Sequence, residues 1–185
     1  MARMKLIRRW SLMKSVTDEN IAEHSAQVAQ IAHALALIKN RMFGGSLNVD
    51  KITSAALYHE TSEVLTGDLP TPIKYYNPEI RQSYKNIEKI ANDKLISMLP
   101  EELRGDYRDI IELPEGSYER VLIKAADKIS AYIKCIEELR SGNREFAKAE
   151  AALKAEVDAY RVHPEVAYFC DTFIDTFRKT LDELE

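Results

Sequence analysis

Cysteine is scarce in this chain. Cys135 and Cys170 are the only two among 185 residues, too few and too far apart for a disulfide framework or a Cys-x-x-Cys metal knuckle. Each reads as a core or partly buried thiol in a reducing compartment. Long apolar runs are missing as well. Residues 1–10 are basic but hold no apolar segment of signal-peptide length, and nothing later approaches the roughly 20 residues of a membrane span, so a cytoplasmic protein is expected. Positive charge is in deficit, with 26 Lys and Arg against 30 Asp and Glu, a net charge of −4 and a pI near 5.7. That balance argues against gripping a nucleic-acid polymer through its phosphates, while leaving room for a local basic patch around one small anion.

Glycine and proline, six of each, serve only as punctuation. Strand alternation is absent, and so are Asn-Gly and Asp-Gly hairpin signals. What is present is helical spacing. The periodicity predicts helices over 18–41, 49–65, 78–99, 101–111, 118–141, 143–160 and 164–185. The breaks fall at Gly44-Gly45, Thr66-Gly67-Asp68, Pro70-Thr71-Pro72, Leu113-Pro114-Glu115-Gly116 and Ser141-Gly142-Asn143. With 45% apolar residues the chain can bury a substantial core, and a single all-α domain over residues 1–185 is expected.

One stretch stands apart from ordinary helix composition. Residues 57–70 place His59, Glu60, Glu63 and Asp68 at the end of an apolar helix and in the turn after it, where a structural segment has little use for so many charges. Ile52, Ala55 and Ala56 share a face with His59 and Glu63, so His59, Glu60 and Glu63 are expected to converge near the C-terminal end of the 49–65 helix. Position 63 is Glu, which separates the pattern from the His-Glu-x-x-His zinc-protease signature.

Two further residues complete a donor set. His24 sits within the stripe Ile21, Val28, Ile31, Leu35 and Ile38, while His33 points to the opposite face. A lone histidine on such a stripe is usually a hydrogen-bonded core residue. Asp127 follows the small residues Ala125 and Ala126 in an apolar helix, and taken alone would pair with Lys124 or Lys128. Together, His24, His59, Glu60 and Asp127 offer mixed nitrogen and oxygen donors for one divalent ion. Lys74, Tyr75, Tyr76 and Lys85 are candidates for the entrance to such a site, with a solvated helix start as the alternative.

The sequence resembles the HD-domain 5′-deoxynucleotidases of the YfbR type over nearly its whole length. The resemblance is carried by Leu6-Ile7-Arg8-Arg9-Trp10-Ser11-Leu12-Met13, Glu19-Asn20-Ile21-Ala22-Glu23-His24-Ser25, Tyr58-His59-Glu60 through Gly67-Asp68-Leu69-Pro70-Thr71-Pro72, Lys124-Ala125-Ala126-Asp127 and Lys134-Cys135-Ile136-Glu137-Glu138-Leu139. It implies an all-α HD-domain helical bundle with a metal site in its core, generally a homodimer. The activity implied is removal of the 5′-phosphate from a deoxyribonucleoside 5′-monophosphate with one divalent ion, cobalt, manganese or zinc. Carried over by position, His24, His59, Glu60 and Asp127 would hold the metal, with His24 also close to substrate. Glu63 would orient or deprotonate the attacking water, Arg9 would position the phosphate, Trp10 and Asp68 would contact the sugar, and Glu112 and Glu115 would add nucleotide contacts.

One departure is chemical. The family is named for His-Asp, and this chain has His59-Glu60. Glutamate is still a hard oxygen donor, but its extra methylene moves the carboxylate by more than about an ångström unless backbone or rotamer compensates. A nucleotide-binding sensor with lost or reduced catalysis is therefore one alternative. An HD phosphohydrolase acting on another nucleotide, such as a phosphodiesterase or a triphosphate hydrolase, is the other.

Overall fold

Helix α1 (Ile21–Met42) starts where the sequence supplies a reciprocal cap. Asn20 Oδ1 accepts from the N–H groups of Ala22 and Glu23 at 3.0 and 3.1 Å, and the Glu23 carboxylate accepts from Asn20 N–H at 3.2 Å. Caps of this kind contribute about 1 kcal/mol each. Asn48, Asn77 and Ser117 cap α2 (Val49–Leu57), α5 (Pro78–Ser97) and α7 (Tyr118–Arg140) through single side-chain acceptors. The short helices α3 (Glu63–Thr66) and α4 (Thr71–Lys74) lie between α2 and α5, and α6 (Glu101–Ile111) follows α5. Helices α8 (Ala147–Tyr160) and α9 (Pro164–Phe173) complete the set. This computed structural model describes residues 1–74 and 76–183; Tyr75 of the expected entrance group lies outside them.

Helix α1 is the centre of the packing, set against α2, α7 and α9, while α8 packs on α7. Val28, Leu35, Ile52, Leu122, Ile129, Ile133 and Val166 have no exposed surface. Each contributes about 1.5–3 kcal/mol by leaving water. The expected stripe on α1 is seen, with His24 buried in it and His33 exposed. Cys135 is buried and Cys170 partly so, both as free thiols. No helix among the described residues is long and apolar enough to cross a membrane.

Before α1 the chain forms an arm rather than a helix. A single 3-10 turn (Met4–Leu6) precedes a bridge that pairs Arg8 with Asn20, closed by Arg9 N–H to Glu19 O at 2.9 Å and Ile21 N–H to Ile7 O at 3.0 Å. Trp10 takes φ 58, a left-handed conformation that costs a bulky residue about 1–2 kcal/mol. The arm's far side is tied to α7, where the buried Glu138 accepts from the N–H groups of Val16 and Thr17.

Two helix boundaries differ from the sequence reading. The helix expected over 49–65 ends at Leu57. His59 Nδ1 takes the Ala56 carbonyl at 2.7 Å and Thr61 Oγ1 takes the Tyr58 carbonyl at 2.6 Å, so side chains use acceptors that the next helical turn would need. His59 and Glu60 therefore sit on a tight turn, and Glu63 opens α3. The helix expected over 164–185 stops at Phe173 and continues as 3-10 turns (Ile174–Arg178 and Leu181–Glu183), with Leu184 and Glu185 outside the described residues. Thr176 Oγ1 donates back to Phe173 O at 2.5 Å, and Arg140 draws Lys179 O to 2.6 Å, both at the expense of helical pairing.

Candidate metal centre and active site

His24 is fully buried, and its Nε2 lies 3.0 Å from Asp127 Oδ1 across the α1–α7 contact. Its Nδ1 is 3.2 Å from Ser130 Oγ, and that hydroxyl donates to Gln27 Oε1 at 2.6 Å. With its proton committed to Gln27, Ser130 accepts from Nδ1–H, which leaves Nε2 as the nitrogen facing Asp127. His59 is oriented in the same way by the Ala56 carbonyl on Nδ1. Its Nε2 is buried without a hydrogen-bond partner, 3.4 Å from Glu60 Oε1. A buried ring nitrogen left in that state is costly unless something coordinates it.

One ligand atom from each of His24, His59, Glu60 and Asp127 lies within 4.8 Å of the others. Ligands about 2.1 Å from one ion stand up to about 4.2 Å apart, so the four fit a divalent ion after a small contraction. Glu60 joins the group despite its extra methylene, and it does so from a turn rather than from a helix. Two imidazoles and two carboxylates suit zinc, manganese or cobalt.

The carboxyls divide into two kinds. Burial alone would raise Glu60, but the His59 imidazolium outweighs it and brings the pKa down to about 2. Asp127 is held well below the usual range, because the hydrogen bond and charge of His24, then His59 and Arg9, overcome burial. Glu63 goes the other way: burial, then the charges of Glu60 and Asp68, push it up to about 10, and its Oε2 is buried with no partner. Asp68 is raised by burial too, against the pull of Arg9. Environments that separate neighbouring carboxyls assign them different work.

Arg9 brings the compensating charge. Burial opposes its protonation, yet Asp127, Glu19, Glu60 and Asp68 together raise its pKa, which sets the guanidinium among the site's acids. Its Nε donates to Glu19 Oε2 at 3.3 Å. Trp10 Nε1 donates to the same oxygen at 2.7 Å, and its ring stands 5.2 Å from that of Phe146.

An open cleft of about 660 Å³ leads to this cluster, with His59, Glu60 and Asp127 in its lining. Lys74 and Lys85 line it as the entrance reading expects, and Lys74 is ion-paired with Glu88 at 2.8 Å. Glu112 and Glu115 line it as well. They differ in setting: Glu112 keeps one buried, unpartnered oxygen while the other holds Arg108 at 2.8 Å, and Glu115 is 84% exposed, 3.9 Å from Arg120. Asp127 does not pair with Lys124 or Lys128; Lys128 reaches Glu156 instead. Sequence reading assigned no role to Ser130 or Glu19. Ser130 stands one helical turn after Asp127, which is the only local signal for it, and Glu19 is visible as an acid before the Asn20 cap, at the head of a motif that carries the resemblance.

Loading the site is expected to stabilise the fold. An ion at about 100 times its dissociation constant adds about 2.7 kcal/mol, or roughly 5–10 °C in Tm for a chain of this size. Thermal melts of metal-stripped protein with and without zinc check this, and Asp127→Ala should remove the shift.

The family model described as 5′-deoxynucleotidase YfbR-like matches residues 1–177. A 5′-deoxynucleotidase of Vibrio vulnificus is 55% identical over 185 residues, covering 100% of this chain and 95% of the relative. One from Yersinia pestis is 52% identical over 187 residues, covering 100% and 93%. Among solved structures, an HD-domain phosphohydrolase from Listeria innocua superposes with TM-score 0.84 at 24% identity over 95% of this chain and 85% of its own. A cyanophage S-2L HD phosphohydrolase bound to dA and one catalytic Zn2+ ion gives TM-score 0.70 at 20% identity, covering 95% and 94%.

Proposed function

Because the chain belongs to the YfbR-like 5′-deoxynucleotidase family, we propose that it hydrolyses deoxyribonucleoside 5′-monophosphates to deoxynucleosides and phosphate, with a divalent ion held by His24, His59, Glu60 and Asp127. The observation that carries this reading is the convergence of those four side chains within 4.8 Å, beside the Arg9 guanidinium. The chemistry such an ion supplies when bound is Lewis-acid polarisation of the phosphoryl group and acidification of water.

The chain's own residues do the rest. Arg9 presents its fork to the phosphate, where paired N–H donors offset the charge in a way that lysine cannot reproduce. Glu63 aligns the attacking water in line with the leaving 5′-oxygen and takes its proton. Asp68 accepts from the sugar 3′-hydroxyl, and the clamped Trp10 ring leaves a 2′-hydroxyl without a partner. The unpartnered oxygen of Glu112 supports a contact with the base end of the nucleotide. Glu115, on the exposed rim, is the weakest member of the set. The sensor reading is disfavoured because Glu60 reaches the ligand group. The resemblance also supports a homodimer working in the cytoplasm, with residues 1–185 as one catalytic domain.

The test is phosphate release from 5′-dAMP, 5′-AMP and 3′-dAMP by metal-stripped protein, with cobalt, manganese, zinc or magnesium added back singly. Metal-dependent release from 5′-dAMP is expected. The ribonucleotide should be poorer by about 1–3 kcal/mol, roughly 5- to 150-fold in kcat/KM. Equal rates on 5′-dAMP and 5′-AMP would sink the sugar-discrimination account, and silence with every metal would sink the hydrolase.

A further inference from the structure

Glu19 touches three of the residues given functional work above. Its Oε2 accepts from Arg9 Nε at 3.3 Å and from Trp10 Nε1 at 2.7 Å, and its Oε1 stands 3.6 Å from His24 Nδ1. Its main-chain carbonyl also accepts from Arg9 N–H at 2.9 Å. All of this happens out of water: Arg9 and Glu19 side chains are 13% and 12% exposed, and His24 is fully buried. Glu19 directly precedes the Asn20 cap of α1, so its backbone is held by the start of that helix.

We propose that Glu19 is a positioning residue that fixes the phosphate-binding arm and the metal-binding histidine relative to one another. The stereochemistry of each contact supports it. By taking Nε, Glu19 sets the guanidinium plane and leaves both terminal nitrogens of Arg9 free; neither has a hydrogen bond among the described residues. An end-on fork is the donor pattern that phosphate oxygens accept. By holding the indole N–H, Glu19 secures Trp10 in its left-handed backbone conformation. By standing on the Nδ1 side of His24, together with Ser130, it favours the tautomer whose Nε2 faces Asp127. Partners behind a ligating imidazole fix its orientation, and losing one commonly costs 10–100-fold in metal affinity.

A carboxylate is needed because donors arrive from both sides. Glutamine has one oxygen, so in Glu19→Gln its NH2 group must face either the Arg9 and Trp10 donors or the His24 Nδ1–H, and one side is left repelled. The experiment compares folded Glu19→Gln with the unaltered protein in three readouts. Zinc affinity by calorimetry is expected to fall about tenfold or more. Emission of Trp10, the only tryptophan in the chain, is expected to shift to the red and to become more accessible to acrylamide. With 5′-dAMP, KM should rise while kcat falls, because both the phosphate fork and the ligand geometry are disturbed.

A lower Tm with zinc affinity and Trp10 emission unmoved would mark a merely structural residue and overturn the proposal. If the variant does not fold, the unaltered protein decides. Zinc saturation should then move Trp10 emission through the His24–Glu19–Trp10 contacts, and an unmoved spectrum overturns the idea. The catalytic readout rests on the deoxynucleotidase reading, whereas zinc affinity and emission do not. An unaltered protein that releases no phosphate therefore fails that reading while leaving Glu19 to be judged by the other two.

Discussion

Replacing Glu63 with alanine is expected to lower phosphate release from 5′-dAMP by about 10²- to 10⁴-fold, the range that a positioned general base supplies. Nucleotide binding should stay within a few-fold of normal. The expectation follows from where the carboxyl sits. It opens α3 just after the turn that carries His59 and Glu60, is 3% exposed, and keeps one oxygen without a partner. A purely structural buried acid would be paired. Burial first, and then Glu60 and Asp68, push its pKa up to about 10 in the metal-free protein, so it holds a proton there at neutral pH. A cation held by the four ligands would oppose that bias and favour the ionised carboxylate that a base needs. Turnover measured beside calorimetric nucleotide affinity for Glu63→Ala and Glu63→Gln decides the matter. Near-normal turnover in either variant would remove Glu63 from the chemistry.

Glu138→Gln is expected to cost the fold about 3–5 kcal/mol, because it breaks a buried charge pair and leaves the partner uncompensated. Lys134 Nζ donates to Glu138 Oε1 at 2.5 Å and to Thr17 O at 2.6 Å. The carboxylate also accepts from Val16 N–H at 2.8 Å, from Thr17 N–H at 3.2 Å and from Asn143 Nδ2 at 2.8 Å. Both side chains are almost completely enclosed. For a chain of this size the loss corresponds to roughly 6–20 °C in Tm, readable by circular dichroism. The same contacts tie down the arm that carries Arg9 and Trp10, so KM for 5′-dAMP should rise in whatever fraction of the variant stays folded.

The pH dependence of that pair has a definite sign. Burial would raise the Glu138 pKa, but Lys134, the Val16 and Thr17 amides and Asn143 outweigh it and bring it from 4.5 down to about 2. A carboxyl depressed by folding stabilises the protein fully above its unfolded pKa and loses that contribution as pH falls toward the folded value. Acid should therefore erode stability between about pH 4.5 and 2, and Glu138→Gln should show a shallower slope over that window. An unchanged slope would mean that the arm is held by other contacts.

Much of this protein is determined by its sequence alone. Helix caps such as Asn20 with Glu23, the 3.6-residue stripe on α1 and the glycine and proline breaks are local features, and they yield an all-α fold without reference to packing. The identity of the donors is local too: two histidines, a glutamate and an aspartate, within motifs that resemble a known family, point to a divalent ion and a phosphoryl group. What the sequence could not decide is where a side chain outbids the backbone for a hydrogen bond. The expected 49–65 helix stops early because His59 and Thr61 take the Ala56 and Tyr58 carbonyls, and that competition depends on the imidazole being held inside a core formed by distant helices.

Tertiary structure alone also assigned Glu19, Ser130 and the docking of the arm's Val16 and Thr17 onto Lys134 and Glu138, which are themselves a local i, i+4 pair. These contacts join positions up to 122 apart, and nothing in a local pattern says which acid will meet which donor. A one-dimensional pattern carries residue type and face. Only the packing of α1 against α7, with the arm laid along both, brings His24 to Asp127 and sets Arg9 beside them, because burial rather than spacing selects which charges must find one another.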